Sequence, residues 1–162
     1  MRYFLIIFFT GILVTAVNGQ GIKKIKISVL EEYIKKSDHP LIINFWATFC
    51  SPCVKEIPYL EKIVAENKES NVELLLVSLD ANSLYPAKIA AFIKEKRYTS
   101  LVWWLDENNA DYFCQKIDKN WSGGIPSTLF VNNQTHYRKF FERQLTEPQV
   151  SENIKALLKT PE

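Results

Sequence analysis

The stretch from Leu41 to Pro58, LIINFWATFCSPCVKEIP, constrains the chain more than any other. Leu41–Ile43 and Phe45–Ala47 form an almost continuous apolar run, the pattern of a strand covered on both faces. The run stops at Cys50-Ser51-Pro52-Cys53, and Val54, Ile57, Leu60, Glu61 and Val64 follow at helical spacing. A helix that opens at Cys50 puts this thiol at the positive end of the helix dipole, among free N–H groups that favour a thiolate. Cys53 then lies one turn inside, shielded, and close enough to close a disulfide onto Cys50.

A strand that feeds a helix through Cys-x-x-Cys is a thioredoxin-type redox signature. The longer match, NFWATFCSPC followed by Lys55-Glu56-Ile57-Pro58, resembles the TlpA/ResA-like branch of thioredoxin-fold thiol-disulfide oxidoreductases. The usual pattern there is N-F-W-A-T-W-C-x-P-C-x-x-E-x-P, and this chain departs from it at Phe49, where Trp is commoner. Both are large aromatic groups beside the nucleophile. The resemblance covers essentially the whole chain beyond residue 19 and implies no cofactor.

The first nineteen residues read as a separate unit. Arg2 is a short basic start, Tyr3 to Val17 is almost unbrokenly apolar, and Val17-Asn18-Gly19 supplies small residues before a cut near Gly19–Gln20. This predicts a secretory signal peptide over residues 1–19 and a single thioredoxin-like domain over 20–162. An uncleaved membrane anchor is the alternative, although so short a run is brief for a spanning helix. Either way the site is expected outside the cytoplasm, as in a periplasm, where a disulfide persists. The three cysteines suit one redox pair plus one other residue, not a disulfide framework. A formal charge of +2 argues against nucleic acid or an anionic membrane surface as partner. The N-x-S/T sequons at Asn120 and Asn133 matter only in a eukaryotic secretory pathway.

Taken in order, Lys23 to Ser28 alternates and predicts a short edge strand. Ser28 with Glu31 reads as a capping box opening a helix to about Lys36, with Val29, Leu30, Tyr33 and Ile34 inward. After the cysteine helix, within which Pro58 removes one backbone hydrogen bond, Val72 to Leu79 predicts a second buried strand. Asp80 to Ser83 reads as a loop. Tyr85 to Lys96 has helical spacing, with Ile89, Ala90, Phe92 and Ile93 inward. Leu101 to Leu105 predicts a strand, and Asn108 to Ile117 a helix. Ser127 to Asn132 and Tyr137 to Arg143 predict a hairpin. Thr146 then caps a last helix with Val150, Ile154, Leu157 and Leu158 inward. The alternation predicts an α/β fold: a central mixed sheet with a parallel core, an antiparallel hairpin and helices on both faces.

A second signature, Gly123-Gly124-Ile125-Pro126-Ser127-Thr128, resembles the thioredoxin-fold loop in which the bond before proline is cis and faces the disulfide. By that resemblance Ile125, Pro126 and Trp46 bind substrate: the Ile125 backbone docks an extended segment, Pro126 borders it, and Trp46 packs beside the site. Trp121 is placed near the same loop. The implied reaction is thiol–disulfide exchange on a disulfide-containing protein, with Cys50 as nucleophile and Cys53 as resolving thiol. Cytochrome c maturation or repair of oxidised protein thiols are the settings the family implies, with a membrane-bound protein as electron donor. Asn44 stands where thioredoxin carries a buried Asp and cannot titrate. Glu56, three residues past Cys53, is therefore the candidate proton carrier, or else merely a first-turn acid. Cys114 shares a helical face with Ala110, Phe113 and Ile117 and reads as structural.

Other functions fit less well. A disulfide oxidase or isomerase would use the same residues and differ in potential. A peroxidase wants a PxxxTxxC setting that is absent. A copper or zinc carrier wants a third ligand that neither His39 nor His136 supplies by spacing, so no metal is expected.

Overall fold

The structure, a computed structural model, describes residues 21–159. The expected leader at residues 1–19 lies outside them. In chain order the elements are β1 (Lys23–Ile25), α1 (Ile27–Lys36), β2 (Leu41–Trp46), α2 (Ser51–Glu66), β3 (Glu73–Ser78), α3 (Ala87–Lys96), β4 (Leu101–Leu105), α4 (Ala110–Ile117), β5 (Ser127–Asn132), β6 (Tyr137–Phe141) and α5 (Glu147–Leu158). The strands make one six-stranded sheet ordered β1-β4-β3-β2-β5-β6. Strands β1, β4, β3 and β2 pair in parallel, and β5 and β6 add antiparallel.

Strand β2 lies inside the sheet, and every residue in it is buried. Because successive side chains point to opposite faces, it supplies two cores. Leu41, Ile43 and Phe45 pack with Leu30 and Ile34 of α1 and with Phe113, Cys114 and Ile117 of α4. Ile42 and Trp46 pack on the other face with Ile57, Leu60 and Ile63 of α2, Ile89 of α3, and Val150, Ile154 and Leu157 of α5. Each such side chain stabilises the fold by about 1.5–3 kcal/mol through its burial. Both Trp103 and Trp104 are core, one in each layer. Helix α2 continues through Pro58, which lies exposed on its outer face.

Several local expectations give way to tertiary contacts. Helix α1 starts at Ile27, and no capping box forms at Ser28. Its first N–H is satisfied instead by Glu107, whose Oε1 accepts from Ile27 N at 3.0 Å because β1 pairs with β4 and brings residue 107 alongside. Val29, Ala90 and Ala110 face solvent, so the apolar stripes of their helices are narrower than their sequences suggest. Tyr85 precedes α3 without joining it: the Tyr85–Pro86 bond is cis. The Tyr85 ring stacks on Trp104 with centroids 4.3 Å apart, and its hydroxyl donates to the Ile22 carbonyl. Strand β6 ends at Phe141, which frees Glu142 and Arg143 from the ladder. Thr146 caps α5 as expected, in a reciprocal capping box with Gln149.

Candidate active site

The chain leaves β2 at Trp46 and enters α2 five residues later, and Cys50 is the helix N-cap. Its sulfur accepts a hydrogen bond from Cys53 N at 3.3 Å. Cys50 and Cys53 are joined in a disulfide with their Cα atoms 5.3 Å apart. Cys53 is fully buried, whereas Cys50 keeps 7% of its surface, so the disulfide is nearer to solvent on the Cys50 side. Proline fits the first turn between them because no intrahelical bond is expected of its missing N–H there.

The segment before Cys50 is held by a residue that the sequence did not single out. Asp80, at the carboxyl end of β3, is 3% exposed and accepts from Thr48 N at 3.0 and 3.1 Å. It also accepts from Thr48 Oγ1 at 2.6 Å and from Ser78 Oγ at 2.8 Å. Its own carbonyl takes the Trp104 indole N–H at 2.7 Å. A buried carboxylate is tolerated when its lone pairs are filled by donors in this way. The result is a fixed Ala47–Phe49 bend. Only the juxtaposition of β2 and β3, in register from Leu41 with Glu73 to Trp46 with Ser78, reveals it.

Glu56 faces inward from α2 and is fully buried. Its Oε1 accepts from Asn44 Nδ2 at 2.9 Å and from Thr128 Oγ1 at 3.3 Å, and its Oε2 accepts from Leu145 N at 2.6 Å. Asn44 Nδ2 also donates to Thr128 Oγ1, because the two residues are direct partners in the β2–β5 ladder. Burial raises the Glu56 pKa above the usual carboxylate range, opposed by hydrogen bonds from Leu145, Thr128 and Asn44 and by the charge of Arg143. Asn44 turns its nitrogen toward the carboxylate and leaves its Oδ1 without a partner. Glu56 and Cys53, three apart on one helix, share its buried face about one turn apart.

The second signature leads into β5, the neighbour of β2. The Ile125–Pro126 bond is cis. Antiparallel pairing ends with Phe45 opposite Ser127, so Pro126 directly precedes the first β5 residue paired with the strand that leads to Cys50. Among the described residues no hydrogen bond uses the Ile125 backbone N–H or C=O. Trp121 lies under this loop and donates its indole N–H to the Gly124 carbonyl at 2.9 Å.

Of the two aromatic residues expected beside the site, Phe49 meets solvent and Trp46 does not. Trp46 is completely buried, edge-on to Tyr98 and tilted against Phe92, so it supports the site from beneath and has no surface for a substrate. Phe49, next to Cys50, is 75% exposed. Cys114 is buried on α4, away from solvent, and its thiol is pushed up to about 11 by burial, with Glu142 and Asp111 adding to it. Among the described residues no cluster of three or more His, Cys, Asp or Glu is placed to hold a metal ion, and no helix is long and apolar enough to cross a membrane.

A mixed sheet with helices on both faces, a Cys-x-x-Cys at a helix start and a cis-proline at the head of the adjacent strand define a dithiol protein of the thioredoxin fold. The chain belongs to the AhpC/TSA family, which it matches over residues 14–139, and within that fold it is TlpA/ResA-like. The thiol-disulfide oxidoreductase ResA of Oceanobacillus iheyensis is 33% identical over 128 residues, which are 77% of this chain and 62% of that protein. ResA of Halalkalibacterium halodurans is 28% identical over 112 residues, 69% of this chain and 58% of that one. The chain thus spans about three-fifths of the length of these curated relatives. Among solved structures, a thioredoxin-related protein from Neisseria meningitidis serogroup B superposes with a TM-score of 0.64 at 24% identity, covering 76% of this chain and 89% of that one.

Proposed function

We propose that the chain is an exported thiol-disulfide oxidoreductase that works as a disulfide reductase on protein substrates. One observation carries the reading: Cys50, at a helix N-terminus and hydrogen-bonded by Cys53 N, is the less buried end of a disulfide whose other cysteine is fully enclosed. In the reduced protein that N–H would donate to a thiolate, a charge-assisted and stronger bond.

The Cys50 thiolate attacks one sulfur of a substrate disulfide. An S–S bond forms between enzyme and substrate, and the second substrate sulfur leaves as a thiolate that takes a proton from water. The Cys53 thiol passes its proton to the Glu56 carboxylate, whose raised pKa suits an acceptor inside the fold. The Cys53 thiolate then attacks Cys50 Sγ, and the remaining substrate sulfur departs as a thiolate that is protonated as Glu56 gives up its proton. Substrate gains two electrons and two protons, and the Cys50–Cys53 pair is oxidised. A dithiol donor, read from the family as membrane-bound, restores the reduced pair. Ile125 and Pro126 form the docking edge, and the exposed Phe49 ring lies beside the reacting sulfur. Export rests on the apolar run from Tyr3 to Val17.

The test is trapping. Cys53→Ser should accumulate a mixed disulfide between Cys50 and a disulfide-containing protein, reversible by dithiothreitol, and Cys50→Ser should not. Failure of Cys53→Ser to trap any partner while the wild type reduces it would remove Cys50 as the nucleophile.

A further inference from the structure

Glu142 is the first residue past β6, and its carboxylate is devoted to one loop. Oε1 accepts from Gly124 N at 2.7 Å, from Ser122 N at 3.1 Å and from Ser122 Oγ at 2.5 Å, while Oε2 accepts from Ser122 N at 3.0 Å. The fit is close: a Cβ added to Gly124 would fall 2.8 Å from Oε1. Gly123, between the two held residues, adopts φ +98°, a conformation open to glycine and costly for other residues. The loop is pinned from its other side by Trp121, whose indole N–H takes the Gly124 carbonyl.

The consequence lies one bond further on. The Gly124 carbonyl and the Ile125 N–H belong to one planar trans peptide and point in opposite directions. Fixing Gly124 at its N–H through Glu142 and at its C=O through Trp121 therefore aims the Ile125 N–H. The Ile125 side chain, wedged between the two hydrophobic cores, holds the other end of the residue.

We propose that Glu142 is a positioning residue for substrate docking: its carboxylate sets the 122–124 loop so that Ile125 presents its free N–H and C=O to an extended substrate segment. This rests on the reading of Ile125 and Pro126 as the docking edge. Glu142 touches neither sulfur nor substrate. It acts through Gly124, which distinguishes it from Glu56. The substrate class it serves is an unfolded or extended peptide carrying a disulfide, since only a strand-like backbone can pair with that edge.

The experiment compares two oxidants of the reduced protein by stopped flow: a cystine-linked dimer of an extended peptide, and dithiobisnitrobenzoate, which is too small to pair along Ile125. Glu142→Gln keeps the size of the side chain but turns an N–H2 group toward the Ser122 or Gly124 N–H. It should raise the half-saturating peptide concentration about five- to tenfold with the limiting rate within about twofold. The rate with dithiobisnitrobenzoate should stay within about twofold as well. Gly124→Ala, which pushes the carboxylate away, should give the same rise, and the double variant should exceed neither single variant, because both break one contact.

An unchanged half-saturation in Glu142→Gln, equal slowing with both oxidants, or additive effects in the double variant would each overturn the proposal. Equal slowing would mark a general loss of structure. Wild type that reacts with dithiobisnitrobenzoate yet shows no saturation with the peptide would overturn the docking reading itself and this proposal with it, and that result precedes any variant.

Discussion

Asn44 Nδ2 lies 2.9 Å from Glu56 Oε1, linking the middle of the central strand to the second turn of the active-site helix. The bond makes a neutral amide a side-chain donor to a buried acid. It also makes the acid's protonation a matter for the whole β2–β5 seam, since Thr128 shares both partners.

The pH dependence of stability follows from the direction of that acid's shift. A carboxyl whose pKa is raised in the fold binds a proton more tightly there than in the unfolded chain. Its contribution is full below the ordinary glutamate value of 4.5 and is lost as pH rises through the folded value. The stability of wild type relative to Glu56→Gln should therefore fall as pH climbs through that window, measured by urea unfolding. The opposite slope would mean the three hydrogen bonds outweigh burial. Exchange rates that are unchanged across pH in Glu56→Gln would end its role as proton acceptor.

Reduction potential decides direction. Equilibration of the Cys50–Cys53 pair in thiol buffers, followed by tryptophan fluorescence, should give a value below about −220 mV, with thioredoxin-like reductants. A value near about −120 mV would make the protein an oxidant with the same fold and site.

Asp80 is expected to matter without touching a sulfur. Asp80→Ala strips the acceptor from Thr48 N, Thr48 Oγ1 and Ser78 Oγ in a nearly closed pocket and should cost about 2–4 kcal/mol in denaturant unfolding. A loss under about 0.5 kcal/mol would show that water replaces the carboxylate freely.

Cys114 should behave as core. In the native, oxidised protein a thiol reagent should modify it slowly at neutral pH, because it is buried and its thiol is pushed up to about 11. Rapid labelling under native conditions would contradict both and reopen a redox role for the third cysteine.

Local pattern carried a large part of this protein. The apolar run from Leu41 to Trp46 demanded cover on both faces, and the Cys50–Cys53 spacing demanded a helix start, because each depends only on neighbours in the chain. The Thr146 cap was legible for the same reason, and the cis Ile125–Pro126 bond through its resemblance to the thioredoxin-fold loop. What the sequence left undecided were contacts between residues distant in the chain. Glu107 caps α1, Asp80 clamps Thr48 and Glu142 grips Gly124 across the sheet or between loops, and no periodicity encodes such partners. Trp46 and Phe49 show the limit most clearly: side by side in one motif, they differ from full burial to 75% exposure. The strand ends between them, and only the packing of α3 and Tyr98 over Trp46 determines which aromatic ring meets water.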